Sequence, residues 1–239
     1  MKKTIGFATG SIWQWLKTNN RNELINHLKQ LDIRAIELTI GSKEELDALT
    51  LSDENIIWMK ELDHVSIHAP AFHTSAPGET ELHRQLDTLE ALVSRSGAST
   101  VVLHTKDIPP AHVLKSISFP LSIENTGIGN YTSPETLEDI FSVFPDFKFC
   151  LDVSHAALIS DEETALLISR FRNKISHVHL SGTSGNMDHQ SLIGASPQFY
   201  KSLIPAIKLD VPFLIEEDIR EQDIKILHRE LLAADNLLW

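Results

Sequence analysis

Short apolar runs alternate along the chain with longer segments whose apolar residues recur at helical spacing. Ile5 to Ala8, Ile33 to Leu38, Val65 to Ile67, Ser99 to Leu103, Leu121 to Ile123, Phe147 to Leu151, Ile175 to Leu180 and Val211 to Ile215 read as strands. Runs this short fit strands covered on both faces better than amphipathic helices. Between them, Leu24, Ile25, Leu28 and Leu31 mark a helix over Asn22 to Leu31. Leu82, Leu86, Leu89, Leu92 and Val93 mark another, and Ile224, Leu227, Leu231 and Leu232 mark the closing one. Ser42 with Glu45, and Ser160 with Glu163, predict capping boxes in which a hydroxyl accepts the orphan N–H three residues on. Ser133-Pro134 and Ser196-Pro197 predict N-caps followed by a first-turn proline, whose missing N–H costs nothing there.

Eight strands alternating with helical segments, at a period of about 30 residues, predict an α/β fold: a single-domain (β/α)8 TIM barrel over residues 1–239. An open doubly wound sheet shares this alternation and is the alternative. No low-complexity stretch or shift in composition marks a linker. Lys2 and Lys3 precede an apolar stretch broken by Gly6, Gly10 and Ser11, which reads as the first strand rather than a signal peptide. No apolar run is long enough to span a bilayer, so no membrane partner is expected.

Cys150 is the only cysteine, which excludes an intrachain disulfide. Its apolar neighbours mark it as a small buried hydrophobe, and a cytoplasmic location is the expectation. The formal net charge of −12 disfavours long duplex DNA as a partner, because a protein that tracks a polyanion presents excess Lys and Arg. Divalent cations bound at a site would offset part of that charge locally.

Candidate chemistry enters at the strand ends. The run at Phe147 to Leu151 stops at Asp152, with His155 three residues later. An Asp there also suits the bland role of capping the next helix. Other strands stop the same way: His68 in His68-Ala69-Pro70, His104, Glu124, His179 and Glu216, with Asp188 and His189 shortly after the seventh strand. The chain has 12 histidines, so one or two at strand ends would mean little; the repetition is what points to a site. In a barrel these side chains converge on the carboxyl face, where active sites of the fold lie. All are imidazoles or carboxylates, a set suited to zinc and, as the alternative, manganese. So many of them around one cavity would be costly to bury without cations.

These residues resemble the xylose isomerase-like barrel superfamily, which includes endonuclease IV (AP endonuclease family 2) and many sugar isomerases and epimerases, and the resemblance runs over essentially the whole chain. It implies that Glu124, Asp152, His179 and Glu216 hold one divalent metal, with His155 completing the family's Asp-x-x-His motif. It further implies that His68 and His104 hold a second metal and that His155, Asp188 and His189 hold a third, as in endonuclease IV, with Glu124 bridging two ions. Asp188 and His189 are adjacent, where the endonuclease pattern separates them by one residue. The run from His189 to Gly194 also resembles the isomerase branch.

A multinuclear cluster suits hydrolysis of a phosphoester, here of a small sugar-containing substrate, since a chain of this length has little room for loops that grip a duplex. Glu124 would position the attacking hydroxide, and Glu124, Glu216 and His155 are the candidate catalytic groups. The rival is a single-metal sugar or sugar-phosphate isomerase or epimerase, in which Glu124 and Glu216 exchange the proton. A non-catalytic binding barrel is a third reading. Trp13 and Trp15, in the loop after the first strand, either wall a substrate or cover the barrel end. Glu37, His64, His73, His177 and Glu217 are expected to be structural; His177 is expected to face away from His179 and pack on a helix. The register after Leu214-Ile215 favours Glu216 over Glu217 as ligand.

Overall fold

The computed structural model describes residues 2–15, 20–72, 78–115 and 117–239, which leaves His73 outside the described residues. Its strands are β1 (Ile5–Ala8), β2 (Ala35–Thr39), β3 (His64–His68), β4 (Thr100–His104), β5 (Leu121–Glu124), β6 (Lys148–Asp152), β7 (Ile175–Leu180), β8 (Gly182–Ser184), β9 (Met187–Gln190) and β10 (Phe213–Ile215). Its helices are α1 (Arg21–Leu28), α2 (Lys43–Ala48), α3 (Asp53–Lys60), α4 (Glu79–Ser96), α5 (Ala111–Leu114), α6 (Pro134–Val143), α7 (Val153–Ile159), α8 (Glu163–Phe171), α9 (Pro197–Ile207) and α10 (Ile224–Leu238). Eight strands close into a parallel barrel in the order β1, β10, β7, β6, β5, β4, β3, β2. A (β/α)8 barrel results, and the open-sheet alternative is excluded by the β1–β2 and β1–β10 pairings that seal it. The loop after β7 is not irregular: β8 and β9 form an antiparallel hairpin there.

Alternate residues of each strand face opposite sides. Ile36, Leu38, Val65, Ile67, Val101, Leu103 and Ile123 are buried in the apolar core. Their strand neighbours point inward, where Glu37 accepts from Ser66 and Thr100 lies 2.8 Å from Ser122. The strands are therefore covered on both faces, but the inner face is polar, unlike the branched apolar layers usual in this fold. His177 belongs to that inner face: its ring lies 5.3 Å from that of His179, not against a helix. Residues two apart on a strand share a face, so the expected opposition of His177 and His179 fails on the strand's own periodicity.

Close approach fixes one glycine. A Cβ on Gly6 would lie 1.7 Å from the carbonyl oxygen of Ala35, so only glycine lets β1 meet β2 at this register. Capping follows the sequence at Ser42, Ser133 and Ser196, each of which accepts from the N–H three residues on. Ser160 instead closes α7, and α8 begins from Glu162 with no side-chain cap. No helix among the described residues is long and apolar enough to cross a membrane.

Candidate metal centre

Six barrel strands deliver the mouth. His68, His104, Glu124 and Asp152 are the last residues of β3, β4, β5 and β6; His179 is next to last in β7, and Glu216 follows β10. The registers His104 with Glu124 and Asp152 with His179 set them side by side. The β8–β9 hairpin brings Asp188 and His189 over the same opening.

The nine side chains fall into three groups whose ligand atoms lie within 4.8 Å of one another: His68, His104 and Glu124; Glu124, Asp152, His179 and Glu216; and His155, Asp188 and His189. Glu124 belongs to two of them. Its Oε2 lies 3.1 Å from His68 Nε2 and 3.2 Å from His104 Nε2, while its Oε1 lies 3.2 Å from His179 Nδ1. Glu216 Oε2 reaches within 2.8 Å of that same nitrogen, and His155 Nε2 lies 3.3 Å from Asp188 Oδ2.

Most of the imidazoles are held from behind. His155 Nδ1 bonds the carbonyl of Asn125 at 2.9 Å, His189 Nδ1 that of Glu216 at 2.7 Å, and His68 Nδ1 that of Ala69 at 3.2 Å. His179 Nε2 lies 3.1 Å from the carboxylate of Glu37. A back bond of this kind fixes the tautomer and leaves the other nitrogen as a lone pair facing the cavity, the usual arrangement of metal-bound histidine. Glu37 was expected to be structural, yet it orients a central member of the mouth. Only its place inside β2, opposite a strand distant in sequence, brings this about.

Asp152 serves two roles at once. Its Oδ1 accepts from His155 N and Ser154 Oγ, each at 2.7 Å, and so caps α7. Its Oδ2 is buried with no hydrogen-bond partner. An unpartnered carboxylate oxygen beside a ring of imidazole nitrogens fits a divalent cation, and the all nitrogen and oxygen donor set suits zinc or manganese. Burial opposes the charge of Glu124, but the imidazoles of His179, His104 and His68 hold its carboxyl well below the usual range. Burial likewise opposes a proton on His155, yet Asp152, Asp188 and Glu124 push it up to about 10. Cations entering the mouth would displace such protons.

His189 has φ of 51°, the single non-glycine residue with positive φ among those described. Left-handed backbone at a bulky residue costs energy and clusters at functional sites. Gly182 lets the hairpin that carries His189 close, since a Cβ there would lie 2.1 Å from the carbonyl oxygen of Ser191.

Beside the mouth, a cavity of about 720 Å³ is lined by Trp13, Gln14, Arg21, Met187, Asp188, Glu216 and neighbours. Trp13 is half exposed to it, whereas Trp15 is buried and donates to the carbonyl of Ile219 at 2.9 Å. The two tryptophans thus divide the roles of wall and cover. Glu216 and Glu217 divide as well: Glu217 turns away from the mouth to Leu192 N at 3.1 Å, beside Glu230. Burial and the Glu230 carboxylate push its carboxyl up to about 9.

No family model matches the sequence, and no curated protein matches it. Solved structures do match over the whole chain. Endonuclease IV from Thermus thermophilus is 17% identical, with a TM-score of 0.68, covering 98% of this chain and 99% of that one. A D-tagatose 3-epimerase-like protein is 16% identical at a TM-score of 0.68, covering 98% and 97%. A xylose isomerase domain-containing protein from Salmonella typhimurium is 16% identical at 0.71, covering 100% and 98%. Identities this low speak to the fold alone, and the chain shares with these proteins a barrel fold over its whole length.

Proposed function

We propose that this chain is a metal-dependent phosphoester hydrolase acting at the barrel mouth on a small sugar-containing substrate. The observation that carries the reading is the split of Glu124: one oxygen faces His68 and His104, the other faces His179. A carboxylate shared in this way suits a bridging role, and a single-ion site would leave His68 and His104 without a metal to hold. Divalent ions held by the three groups would supply Lewis-acid activation of water and of the phosphoryl oxygens.

The chain's own residues do the rest. Glu124, held charged by its imidazoles, accepts a proton or orients the attacking water between the two groups. His155 lies between Asp152 and Asp188, and with Nδ1 bonded to the Asn125 carbonyl it presents Nε2 to the mouth as a ligand. Trp13 offers an aromatic face for the sugar, and Gln14 and Asp218, 2.5 Å apart, offer polar partners at the cavity edge. Among the described residues, the cavity lining carries one cation, Arg21, which is paired with Glu45 at 2.7 Å. That favours a substrate whose only strongly anionic part is the ester itself. Long duplex DNA remains disfavoured by the net charge of −12.

The rival reading is a sugar isomerase or epimerase. It is favoured by one observation: Glu124 and Glu216 meet at the same ring nitrogen of His179, which sets two carboxylates side by side at the mouth for a proton exchange. Two measurements separate the readings. Metal analysis after saturation should return two or three ions per chain, and His104→Ala should abolish release of phosphate or alcohol from small sugar phosphoesters. One ion per chain, with His104→Ala unchanged and solvent deuterium washed into a ketose or aldose, sinks the hydrolase.

A further inference from the structure

The loop after β1 reaches the mouth without contributing a ligand. β1 pairs with β10 as far as Phe7 and Ile215, and the chain then turns into a short 3-10 helix over Thr9–Trp15. Past that last rung stand the Ile215 carbonyl and the Glu217 N–H, one on each side of Glu216. One side chain takes both. Ser11 Oγ donates to the Ile215 carbonyl at 2.9 Å and accepts from Glu217 N at 3.1 Å, and Ser11 is 1% exposed. A hydroxyl donates and accepts at once, which no apolar side chain of that size can do.

The clamp touches two of the ligand groups. Glu216 belongs to the group of Glu124, Asp152 and His179. Its main-chain carbonyl lies 2.7 Å from His189 Nδ1, and His189 belongs to the group of His155 and Asp188. The Asp218 N–H donates to the His189 carbonyl at 2.8 Å, which pins the residue of positive φ from the same segment. Two further bonds tie that segment to the β1 loop. Ile219 N donates to the Ser11 carbonyl at 3.0 Å, and Trp15 Nε1 donates to the Ile219 carbonyl at 2.9 Å.

We infer that Ser11 is a positioning residue of the mouth: by bracketing Glu216 it fixes, through one hydroxyl, the carboxylate of one ligand group and the imidazole of another. The inference rests on the reading of Glu216 and His189 as mouth ligands, and it holds for a hydrolase and an isomerase alike. Without the hydroxyl, the Ile215 carbonyl and the Glu217 N–H are orphaned in a dry interior, and the Glu216 peptide turns to find other partners. Its carbonyl then leaves His189 Nδ1. That ring loses the back bond that sets its tautomer and orientation. The same loop carries Trp13 and Gln14 to the cavity, so substrate contact and ligand geometry share one short segment.

Histidine-ring NMR on the chelator-treated chain tests the grip, and zinc competition tests its consequence. A ring N–H held by a carbonyl exchanges slowly and gives a downfield proton signal; His155, bonded to the Asn125 carbonyl, is the internal reference. Ser11→Ala should lose or shift the His189 Nδ1–H signal and leave that of His155 in place. Its zinc affinity, read by chelator competition, should fall by about 10–100-fold. Ser11→Thr, which keeps the hydroxyl, should restore both. Thr100→Val removes another buried hydroxyl, 2.8 Å from Ser122 at the opposite end of the barrel strands, and should leave zinc affinity unchanged. An unmoved His189 signal or unchanged zinc affinity in folded Ser11→Ala overturns the inference, as does an equal loss of affinity in Thr100→Val. In wild type, the Glu217 amide should exchange as slowly as that of Phe213, which the Thr4 carbonyl holds at 2.8 Å. Rapid exchange there overturns the inference even if the variant does not fold. If wild type takes up no zinc, the metal reading fails on its own, and the His189 signal still decides the role of Ser11.

Discussion

Two adjacent layers of one barrel use the same residue types to opposite ends. At the mouth, Glu124, Asp152, His155, His179 and Glu216 line an opening that continues into the cavity beside Trp13. One layer down, Glu37, His64, Ser66, Cys150 and His177 are closed in. The difference is position along the strand. A side chain at the carboxyl end borders the loops and can meet solvent or substrate, while one two residues earlier meets only the opposite wall. The upper layer suits turnover and the lower one suits holding the upper one in place. His179 belongs to both, with one ring nitrogen in each.

The largest effect expected on this contrast is at Glu124. Glu124→Ala removes the carboxylate shared by two groups, so activity should fall by more than the roughly 100-fold that changes to the outer partners of a ligand reach. Metal analysis should show loss from the mouth, and retention of full metal content with wild-type turnover would break the division of labour. Glu37→Gln comes next. It keeps the shape but removes the charge behind His179, and should weaken mouth metal affinity or activity by about 10–100-fold, read by chelator competition.

His64 tests the lower layer by pH. Burial, with the nearby His177, pulls its imidazole down to about 3. The folded chain therefore holds it neutral while the unfolded chain protonates it below about 6.5. Stability from this group is present above that value and is lost as pH falls toward 3. His64→Phe keeps a ring in place and should retain about 2 kcal/mol more stability than wild type near pH 5, relative to pH 8, in denaturant titrations. Parallel acid sensitivity in the two proteins would show that His64 is already solvated. The smallest effect belongs to Asp188, whose side chain is 37% exposed. Asp188→Ala should change stability by no more than about 0.5 kcal/mol, yet remove one equivalent of mouth metal. A large loss of stability would mean that the hairpin, not an ion, is what Asp188 holds.

The barrel and the list of mouth residues were both legible along the chain because each depends on local spacing. Strand runs alternating with helical stripes imply the fold, and a strand that stops in His, Asp or Glu announces its own end. Ser133 and Ser196 caps follow from three-residue spacing in the same way. Ser160 misled because the same hydroxyl that would open α8 lies where α7 closes.

What only the tertiary structure decided are relations between residues far apart in sequence. Glu37 meets His179 142 residues away, and nothing near either one announces it. Cys150 reads as a small hydrophobe beside Phe149 and Leu151, and becomes a ligand-capable thiol only when barrel closure sets it against His177 and His179. Trp13 and Trp15 are equivalent in sequence and separate only when Trp15 finds the Ile219 carbonyl. Periodicity sets which way a side chain points along its own strand, and closure of the sheet sets what it faces. The sequence alone therefore determined the barrel and the residues at its mouth, whereas their pairing, their back bonds and the closed layer beneath them came from the fold.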